Sequence, residues 1–317
     1  MKKLYIILAF LMASLAYSQQ EYPIYTDYLT DNYFLLHPSA AGMGNLNKIR
    51  FTARQQWANY SNSPALQTLG AFFKFNDETA MGINLYNDKT GHFSTIGGGF
   101  TYTYHLFFGN RLNRQISFGL SGTFQNSSLN TSDFENMDAT LYLDNSKLWF
   151  YNLDVSLGYR NQNFYSFYTL KNLSPQFFGA AGFTTQEYNY RLHLLSFGYF
   201  FAKKSVSTRK KINPSFLIQY KEGLGEWVLD SNIKVFLPFK KTDLWTGFSY
   251  RTNLNKVIYE NPTYISGFIG GKRNNFVFAY TYTLQTNQRV FSTSGFHQIT
   301  LGYNFFYQRK EERFFDL

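Results

Sequence analysis

The sequence predicts an all-β transmembrane antiparallel β-barrel of the outer-membrane type, with about fourteen strands. Segments that alternate apolar and polar residues follow one another along most of the 317 residues. This period of two is typical of strands whose two faces meet different surroundings. Aromatic side chains make up 21% of the chain, yet its mean hydropathy is negative. The chain also begins with an export signal.

Composition excludes several classes of protein. Charged residues make up 16% of the chain, against roughly 25% in an ordinary soluble domain. A helical membrane protein would be strongly apolar, and a disordered chain would be poor in aromatic residues. The chain has no cysteine. This excludes a disulfide scaffold, thiolate metal sites, iron–sulfur clusters and a cysteine nucleophile.

Residues 1–18 read as a cleaved signal peptide. Lys2 and Lys3 supply the charged start, Leu4–Leu15 the apolar stretch and Ala16–Ser18 a small-x-small cleavage site. A membrane anchor is the alternative, but the apolar stretch is shorter than the roughly 20 residues that a spanning helix needs. We therefore expect the mature protein to be exported through the inner membrane and to reside in the outer membrane.

The predicted strands follow in order along the chain. Alternation is clearest in four segments: Lys48–Trp57, Ser94–Phe108, Gln115–Gln125 and Tyr151–Arg160. Looser runs lie near Leu66–Phe75, Ala80–Asp88, Asn163–Lys171, Tyr188–Ala202, Ser215–Lys221, Trp227–Phe239, Leu244–Thr252, Tyr264–Gly270, Phe276–Leu284 and Gln298–Tyr307. Strands of about ten residues are long enough to cross a bilayer when tilted.

A soluble β sandwich or barrel would also alternate in this way, with its apolar face turned to a core. The even number of strands and the density of Phe and Tyr favour the transmembrane barrel, because aromatic girdles mark both membrane interfaces. The signal peptide agrees with this choice.

Connection lengths predict the orientation and the domain organisation. The second, fourth and later even-numbered connections are short, as periplasmic turns are, whereas the long loops Asn126–Lys147 and Asn172–Glu187 would be extracellular. We expect one barrel domain over residues 46–307 and a short charged periplasmic tail over 308–317. Residues 19–45 would form either a plug in the lumen or a periplasmic contact arm.

Positive charge concentrates at the predicted periplasmic end. The formal net charge is +10, and the long outer loops carry mainly acidic residues. Two interpretations are open: the charges solvate and orient the edge of the barrel, or they dock an acidic partner. Export and scattered placement argue against a nucleic-acid partner. The candidate periplasmic basic rim comprises Arg111, Lys203, Lys204, Arg209, Lys210, Lys211, Lys240, Lys241, Lys272 and Arg273.

Seven charged residues on the polar faces of the strands are candidate lumen charges. A charge network that rigidifies a plugged barrel is one interpretation, because buried charges need partners. A selective pore is the other. The seven are Arg50, Arg54, Asp154, Arg160, Asp230, Lys234 and Arg251.

A short motif at the end of a predicted strand is a candidate outer contact turn. Asp88 and Gly91 supply turn chemistry, and the turn would serve either structure or contact with a cargo protein. The motif comprises Tyr86, Asn87, Asp88, Lys89 and Gly91.

No enzyme site, metal site or cofactor site is predicted. The five histidines are not spaced as metal ligands, and no nucleophile elbow is present. The glycines Gly97–Gly99 lack the context of a phosphate loop. In a barrel, such glycines allow bending and close packing in the lumen.

Several short motifs, taken in order, resemble the PorP/SprF family of outer-membrane proteins. They cover essentially residues 19–306, and His37 departs from the family pattern, which usually has Asn there. The motifs are L-H-P-S-A-A-G at Leu36–Gly42, R-Q-Q-W at Arg54–Trp57, Y-N-D-K-T-G at Tyr86–Gly91, W-T-G-F-S-Y-R at Trp245–Arg251 and H-Q-I-T-L-G-Y-N at His297–Asn304.

The resemblance implies a non-enzymatic role in the type IX secretion and gliding machinery of the Bacteroidota. Family members support secretion or surface attachment of cargo proteins such as large adhesins. The implied partners are the secretion machinery, the cargo, outer-membrane lipid and a peptidoglycan-associated periplasmic lipoprotein. An outer-membrane porin or small-molecule transporter is the alternative function.

Overall fold

The computed structural model shows a closed antiparallel β-barrel. It describes residues 27–30, 32–44, 46–57, 63–108, 114–129, 148–173, 190–202, 211–239, 242–255, 263–286 and 295–306. The predicted signal peptide and the predicted charged tail lie outside these residues. None of the described helices is long and apolar enough to cross a membrane.

The barrel wall is built almost entirely from strands that neighbour each other in sequence. The strands are β1 (Leu46–Gln56), β2 (Ala65–Lys74), β3 (Thr79–Thr90), β4 (Phe93–Phe108), β5 (Arg114–Leu129), β6 (Leu148–Asn161), β7 (Phe164–Lys171), β8 (Leu192–Tyr199), β9 (Phe201–Ala202), β10 (Lys211–Lys221), β11 (Glu226–Phe239), β12 (Thr242–Asn253), β13 (Thr263–Arg273), β14 (Phe276–Thr286) and β15 (Phe296–Phe306).

The first and last strands close the barrel. β1 pairs with β15 along its whole length, from Leu46 opposite Phe306 to Gln56 opposite Phe296. β8 and β9 both pair with β10 and are separated only by Phe200, so they form one interrupted strand. The wall therefore has fourteen strands, and closure leaves no unpaired edge that would need water or another chain. The predicted fold class is confirmed.

Alternating side chains give the wall two unlike faces. On β5, for example, Phe118 and Leu120 are exposed on the outer face, whereas Ser117 and Ser121 are buried on the inner face. Large apolar side chains are exposed in this way on the outer face of strand after strand. An exposed apolar surface of this extent is stable when lipid covers it.

The two ends of the barrel differ, and we call them the base and the mouth. The base is the end at which β1 begins, and it carries the connections 75–78, 109–113, 162–163, 203–210, 240–241 and 274–275. The mouth carries the connections 57–64, 91–92, 130–147, 172–191, 222–225, 254–262 and 287–295. The longest connections thus lie at the mouth, in agreement with the two classes of connection predicted from the sequence.

Candidate functional site

Part of the N-terminal segment lies inside the barrel, and we call its described residues, 27–30 and 32–44, the plug. Three short 3-10 turns organise it: Asp27–Thr30, Tyr33–Leu35 and Pro38–Ala40. Its side chains and one backbone carbonyl contact strands around the whole circumference, from β2 to β15. Only a segment in the lumen can do this. Of the two alternatives for residues 19–45, the described part therefore has the geometry of a plug.

Glycines on the inner face make room for the plug. A Cβ atom at Gly82 would lie 2.5 Å from the ring of Phe34, and one at Gly119 would lie 2.4 Å from the backbone nitrogen of Ser39. At Gly158, a Cβ would approach Met43 to 3.0 Å. These separations are shorter than van der Waals contact, so larger residues at these positions would displace the plug.

Large apolar side chains of the wall pack against the plug inside the lumen. Tyr28, Leu29 and Leu36 of the plug belong to one buried cluster with inward-facing residues of β7 to β14. Those wall residues include Tyr165, Phe167, Leu194, Leu217, Phe236, Trp245, Phe268, Val277 and Ala279. Burial of this apolar surface is the main stabilisation available to the plug, at about 25 cal/mol per Å².

Hydroxyl groups and one imidazole join the plug to β6, β7 and β8. His37 Nδ1 lies 2.8 Å from Thr169 Oγ1, and His37 Nε2 lies 2.7 Å from Ser196 Oγ. Ser156 Oγ lies 2.7 Å from both Ser39 Oγ and Thr169 Oγ1. Each of these five buried side chains therefore has a hydrogen-bond partner, as the interior of a protein requires.

His37 is held as a neutral imidazole. It belongs to the plug, which does not itself cross the membrane. Burial lowers the pKa of His37 to about 3, and the nearby charge of Lys171 acts in the same direction. A neutral ring has one donor and one acceptor nitrogen, and two hydroxyl partners satisfy both.

An ion pair of the wall binds the first described turn of the plug, Asp27–Thr30. Arg251 donates to Asp230 through Nε at 2.6 Å and through Nη2 at 2.7 Å, and Tyr28 donates its phenolic proton to Asp230 Oδ2 at 2.7 Å. Burial, together with the carboxylate of Asp230, raises the pKa of Tyr28, so the phenol remains a donor. Bidentate pairing of this kind is directional and strong.

Three wall cations bind backbone carbonyls of the plug. Lys171 Nζ donates to Leu35 O at 3.2 Å, Arg160 Nη1 to Met43 O at 3.3 Å, and Lys74 Nζ to Gly44 O at 3.0 Å. Carbonyl groups that lack strand partners in this irregular segment are thereby satisfied. Of the three cations, only Arg160 was predicted as a lumen charge. The inward positions of Lys74 and Lys171 in the alternating pattern were the missed signal.

The seven predicted lumen charges lie on the inner faces of the strands, but they make different interactions. Asp230 and Arg251 form the ion pair, and Arg160 binds the plug. Lys234 Nζ lies 4.8 Å from the ring centroid of Phe236 and 5.0 Å from that of Trp245, a cation–π arrangement.

Arg50 packs over Gly302 and donates to Ile49 O at 3.0 Å. The positive charge of Arg54 attracts the carboxylate of Asp88. Asp154 accepts a hydrogen bond from the backbone of Asn172. The structure therefore divides the seven among separate contacts.

The predicted outer contact turn is wrong in its extent. Tyr86, Asn87, Asp88 and Lys89 belong to β3 and pair with β4, and the turn itself is Gly91–His92. Gly91 has a φ of +60°, which glycine adopts without strain. The alternation of β3 continues up to this glycine, and it directs Tyr86 into the lumen. There its hydroxyl donates to Gln125 Oε1 at 3.2 Å, and its ring lies against Gly97.

Three residues of the predicted basic rim are described. Lys211 begins β10, and Arg273 ends β13 with an exposed side chain. Lys272 does not fit an exposed rim: it is buried on the inner face, 3.9 Å from Asp243 Oδ2, because β13 keeps its alternation to its last residue. Arg111, Lys203, Lys204, Arg209, Lys210, Lys240 and Lys241 lie outside the described residues.

Above the plug, a cavity of about 100 Å³ lies on the mouth side of Leu35. Inward-facing residues of β3, β5, β6 and β7 line it, among them Asn84, Thr123, Asp154 and Lys171. Sequence reasoning selected Asp154 as a lumen charge and Tyr86, which also lines the cavity, as part of the outer contact turn. It did not select Asn84, Thr123 or Lys171. Within the described part of the chain, no group of three or more His, Cys, Asp or Glu residues is placed to hold a metal ion.

Comparison with the solved structure of CymD supports the fold. CymD, a monoaromatic hydrocarbon channel, is 10% identical with a TM-score of 0.52, covering 89% of this chain and 94% of CymD. A TodX mutant, also a monoaromatic hydrocarbon channel, is 8% identical with a TM-score of 0.49, covering 86% and 93%. CdiB from Acinetobacter baumannii is 8% identical with a TM-score of 0.44. That match covers 82% of this chain but only 60% of CdiB.

Comparison of the sequence itself identifies the family. No curated protein sequence matches the chain. The family model described as type IX secretion system membrane protein PorP/SprF matches residues 17–303, which include the plug and nearly all of the barrel. The chain therefore belongs to the PorP/SprF family of type IX secretion system membrane proteins.

Proposed function

We propose that this protein is a non-enzymatic outer-membrane component of type IX secretion that supports secretion or surface attachment of cargo proteins. Family membership over residues 17–303 carries the proposal. The apolar outer face of the barrel suits residence in the outer membrane, which the protein reaches by means of its predicted signal peptide.

The filled lumen supports a scaffold rather than a pore. Apolar packing, an ion pair and hydrogen bonds hold the plug in place. An open porin needs a continuous aqueous channel. We infer that the protein binds its partners at its two ends. The mouth connections would bind cargo, and the base would bind periplasmic machinery.

Deletion of the gene tests the role in secretion. We expect loss of surface display of at least one large type IX cargo protein while the outer membrane stays intact, and plasmid-borne wild type should restore display. Normal display of every type IX cargo in the deletion strain would contradict the proposal. Cross-linking of intact cells followed by purification of the barrel should recover secretion machinery or that same cargo.

Charge reversal tests the role of the base. Lys211→Glu with Arg273→Glu should reduce recovery of periplasmic partners, because an acidic partner surface would then be repelled. The matched control is Lys211→Gln with Arg273→Gln, which removes charge without reversal and should have a smaller effect. Equal recovery from the charge-reversed protein and wild type would favour simple edge solvation.

Conductance measurements test the alternative function. In planar bilayers, the purified protein should show no stable open state. A steady open conductance of the wild-type protein would favour the porin or small-molecule transporter.

A further inference from the structure

The cavity on the mouth side of the plug contains polar groups with unused hydrogen-bonding capacity. Asp154 is only 5% exposed, and its Oδ1 accepts the backbone N–H of Asn172 at 2.9 Å. Among the described residues, no group donates to Oδ2. The residue as a whole is nearly buried, but its Oδ2 is accessible from the cavity, where water or a ligand can supply the donor.

Two neighbouring side chains share this property. In the part of the chain that the structure describes, the amide of Asn84 and the hydroxyl of Thr123 have no hydrogen-bond partner, and both line the same cavity as Asp154. They stand on β3 and β5, whereas Asp154 stands on β6. Three strands thus direct unused polar groups toward one space.

The types of group define the complementary ligand. A carboxylate only accepts hydrogen bonds, whereas an amide and a hydroxyl both donate and accept. A hydroxyl-bearing ligand matches all three, since each of its O–H groups can donate to Asp154 and also accept from Asn84 or Thr123. The positive charge of Lys171 lies near Asp154 and balances the negative charge of its carboxylate. The site therefore favours a ligand without net charge.

The rest of the lining fits the same ligand. Leu35 forms the floor, and Phe150 and Leu192 add apolar surface beside the polar groups. A sugar ring presents C–H faces and O–H edges, which match such a mixed lining. The cavity is small, at about 100 Å³, so it admits an end group rather than a chain.

We propose that this cavity is a binding site for the terminal unit of a neutral saccharide, with Asp154, Asn84 and Thr123 as the recognising groups. Wall and plug both contribute to the site. A seated plug is therefore required for binding, and the ligand enters from the mouth.

Ligand-observed NMR on the full chain, purified in a detergent without a sugar headgroup, tests the proposal. The probes are glucose, N-acetylglucosamine and lactose, with choline and acetate as charged comparisons. We expect saturable binding of at least one neutral sugar at millimolar concentration, and binding of neither charged probe. Competition by dodecyl maltoside, whose headgroup is a neutral disaccharide, should displace the sugar.

Matched variants locate the binding. In Asp154→Asn, the backbone N–H of Asn172 holds the amide oxygen, so the NH₂ group faces the cavity where an acceptor is needed. We expect a loss of affinity of about tenfold or more, and a smaller loss in Thr123→Val. Asp243→Asn at the base and Thr281→Val on β14 repeat these substitutions away from the cavity and should bind like wild type.

Three outcomes would overturn the assignment. The first is no saturable binding of any neutral sugar to folded wild-type protein. The second is unchanged binding in both Asp154→Asn and Thr123→Val. The third is preferential binding of choline, which would make Asp154 a cation site. Heat-modifiable migration on gels verifies that each variant is folded.

Discussion

The two sides of the lumen hold the plug by different chemistry. The side formed by β4 to β6 meets the plug with glycines and hydroxyl groups. Thr103 Oγ1, for example, donates to Pro38 O at 2.9 Å, and Gly119 lies against Ser39. The side formed by β7 to β14 presents large apolar residues, among them Phe167 and Leu217, and the Asp230–Arg251 pair. β7 and β8 also supply the two hydroxyl partners of His37.

The difference shows how one short segment can fill a wide barrel. Small residues allow the backbone of the plug to approach β4 to β6 closely, where hydrogen bonds fix its register. Large side chains then span the remaining distance to β7 to β14, where burial of apolar surface supplies most of the stabilisation. Variants on each side should therefore fail in different ways.

The largest effect is expected at the ion pair. Asp230→Ala leaves the guanidinium of Arg251 buried without its partner, and removing one member of a buried pair costs about 3–5 kcal/mol. Urea titration of the barrel in lipid vesicles measures this free energy of unfolding. The control is the double variant Asp230→Leu with Arg251→Met, which removes both charges and should recover most of the loss. Similar stability of Asp230→Ala and wild type would show that the pair does not anchor the plug.

The next effect is steric and belongs to the opposite side. Gly119→Val places a side chain where Ser39 and Pro38 lie, and overpacking of this kind costs about 1–3 kcal/mol. Gly122→Val, on the same strand but with no atom within 4 Å of its Cβ position, is the matched control.

A single reactive thiol reports the displacement. The chain has no cysteine, so a Ser39→Cys background provides one labelling site. Maleimide should label that thiol faster when Gly119→Val is present than when Gly122→Val is present. Equal labelling rates would mean that the plug tolerates the added side chain.

These contacts also show what sequence reasoning could and could not reach. Period-two alternation predicted the strands, because lipid outside and a packed lumen inside impose opposite demands on neighbouring residues. It also placed Asp230 and Arg251 on the inner face. It could not pair them, since they lie on different strands and pairing depends on register.

The same reasoning could not decide between a plug and a periplasmic arm. Its residues follow no repeating period, and their partners are scattered over the whole wall. Alternation places Gly119 and Gly158 on the inner face and Gly122 on the outer face, but it does not show what the two inward glycines contact. Only the path of residues 27–30 and 32–44 through the lumen shows that they lie against the plug.

A smaller effect should appear within the first pH unit below about 6.5, and it should grow as the pH falls further. His37 has a pKa of about 3 in the folded protein against about 6.5 in an unfolded chain, so the unfolded state binds the proton first. The contribution of neutral His37 to the free energy of unfolding is therefore fully present above about pH 6.5. It is lost toward pH 3, by up to about 1.4 kcal/mol per pH unit. His37→Gln keeps hydrogen-bonding capacity without this titration, so its urea midpoint should depend less on pH. An identical pH dependence of variant and wild type would assign the effect to other groups.

The smallest effect is expected where the hydroxyl groups are redundant. Ser39→Ala removes one partner of Ser156, but Ser156 Oγ still has Thr169 Oγ1 at 2.7 Å and Tyr168 O at 3.2 Å. No buried group is left unsatisfied, so we expect a cost of only about 0.5 kcal/mol in the same urea titration. Thr103→Val is the informative comparison, because it takes the donor away from Pro38 O and should cost more. If Ser39→Ala were as damaging as Asp230→Ala, the hydroxyl side would hold the plug as strongly as the ion pair, and the proposed division between the two sides of the lumen would fail.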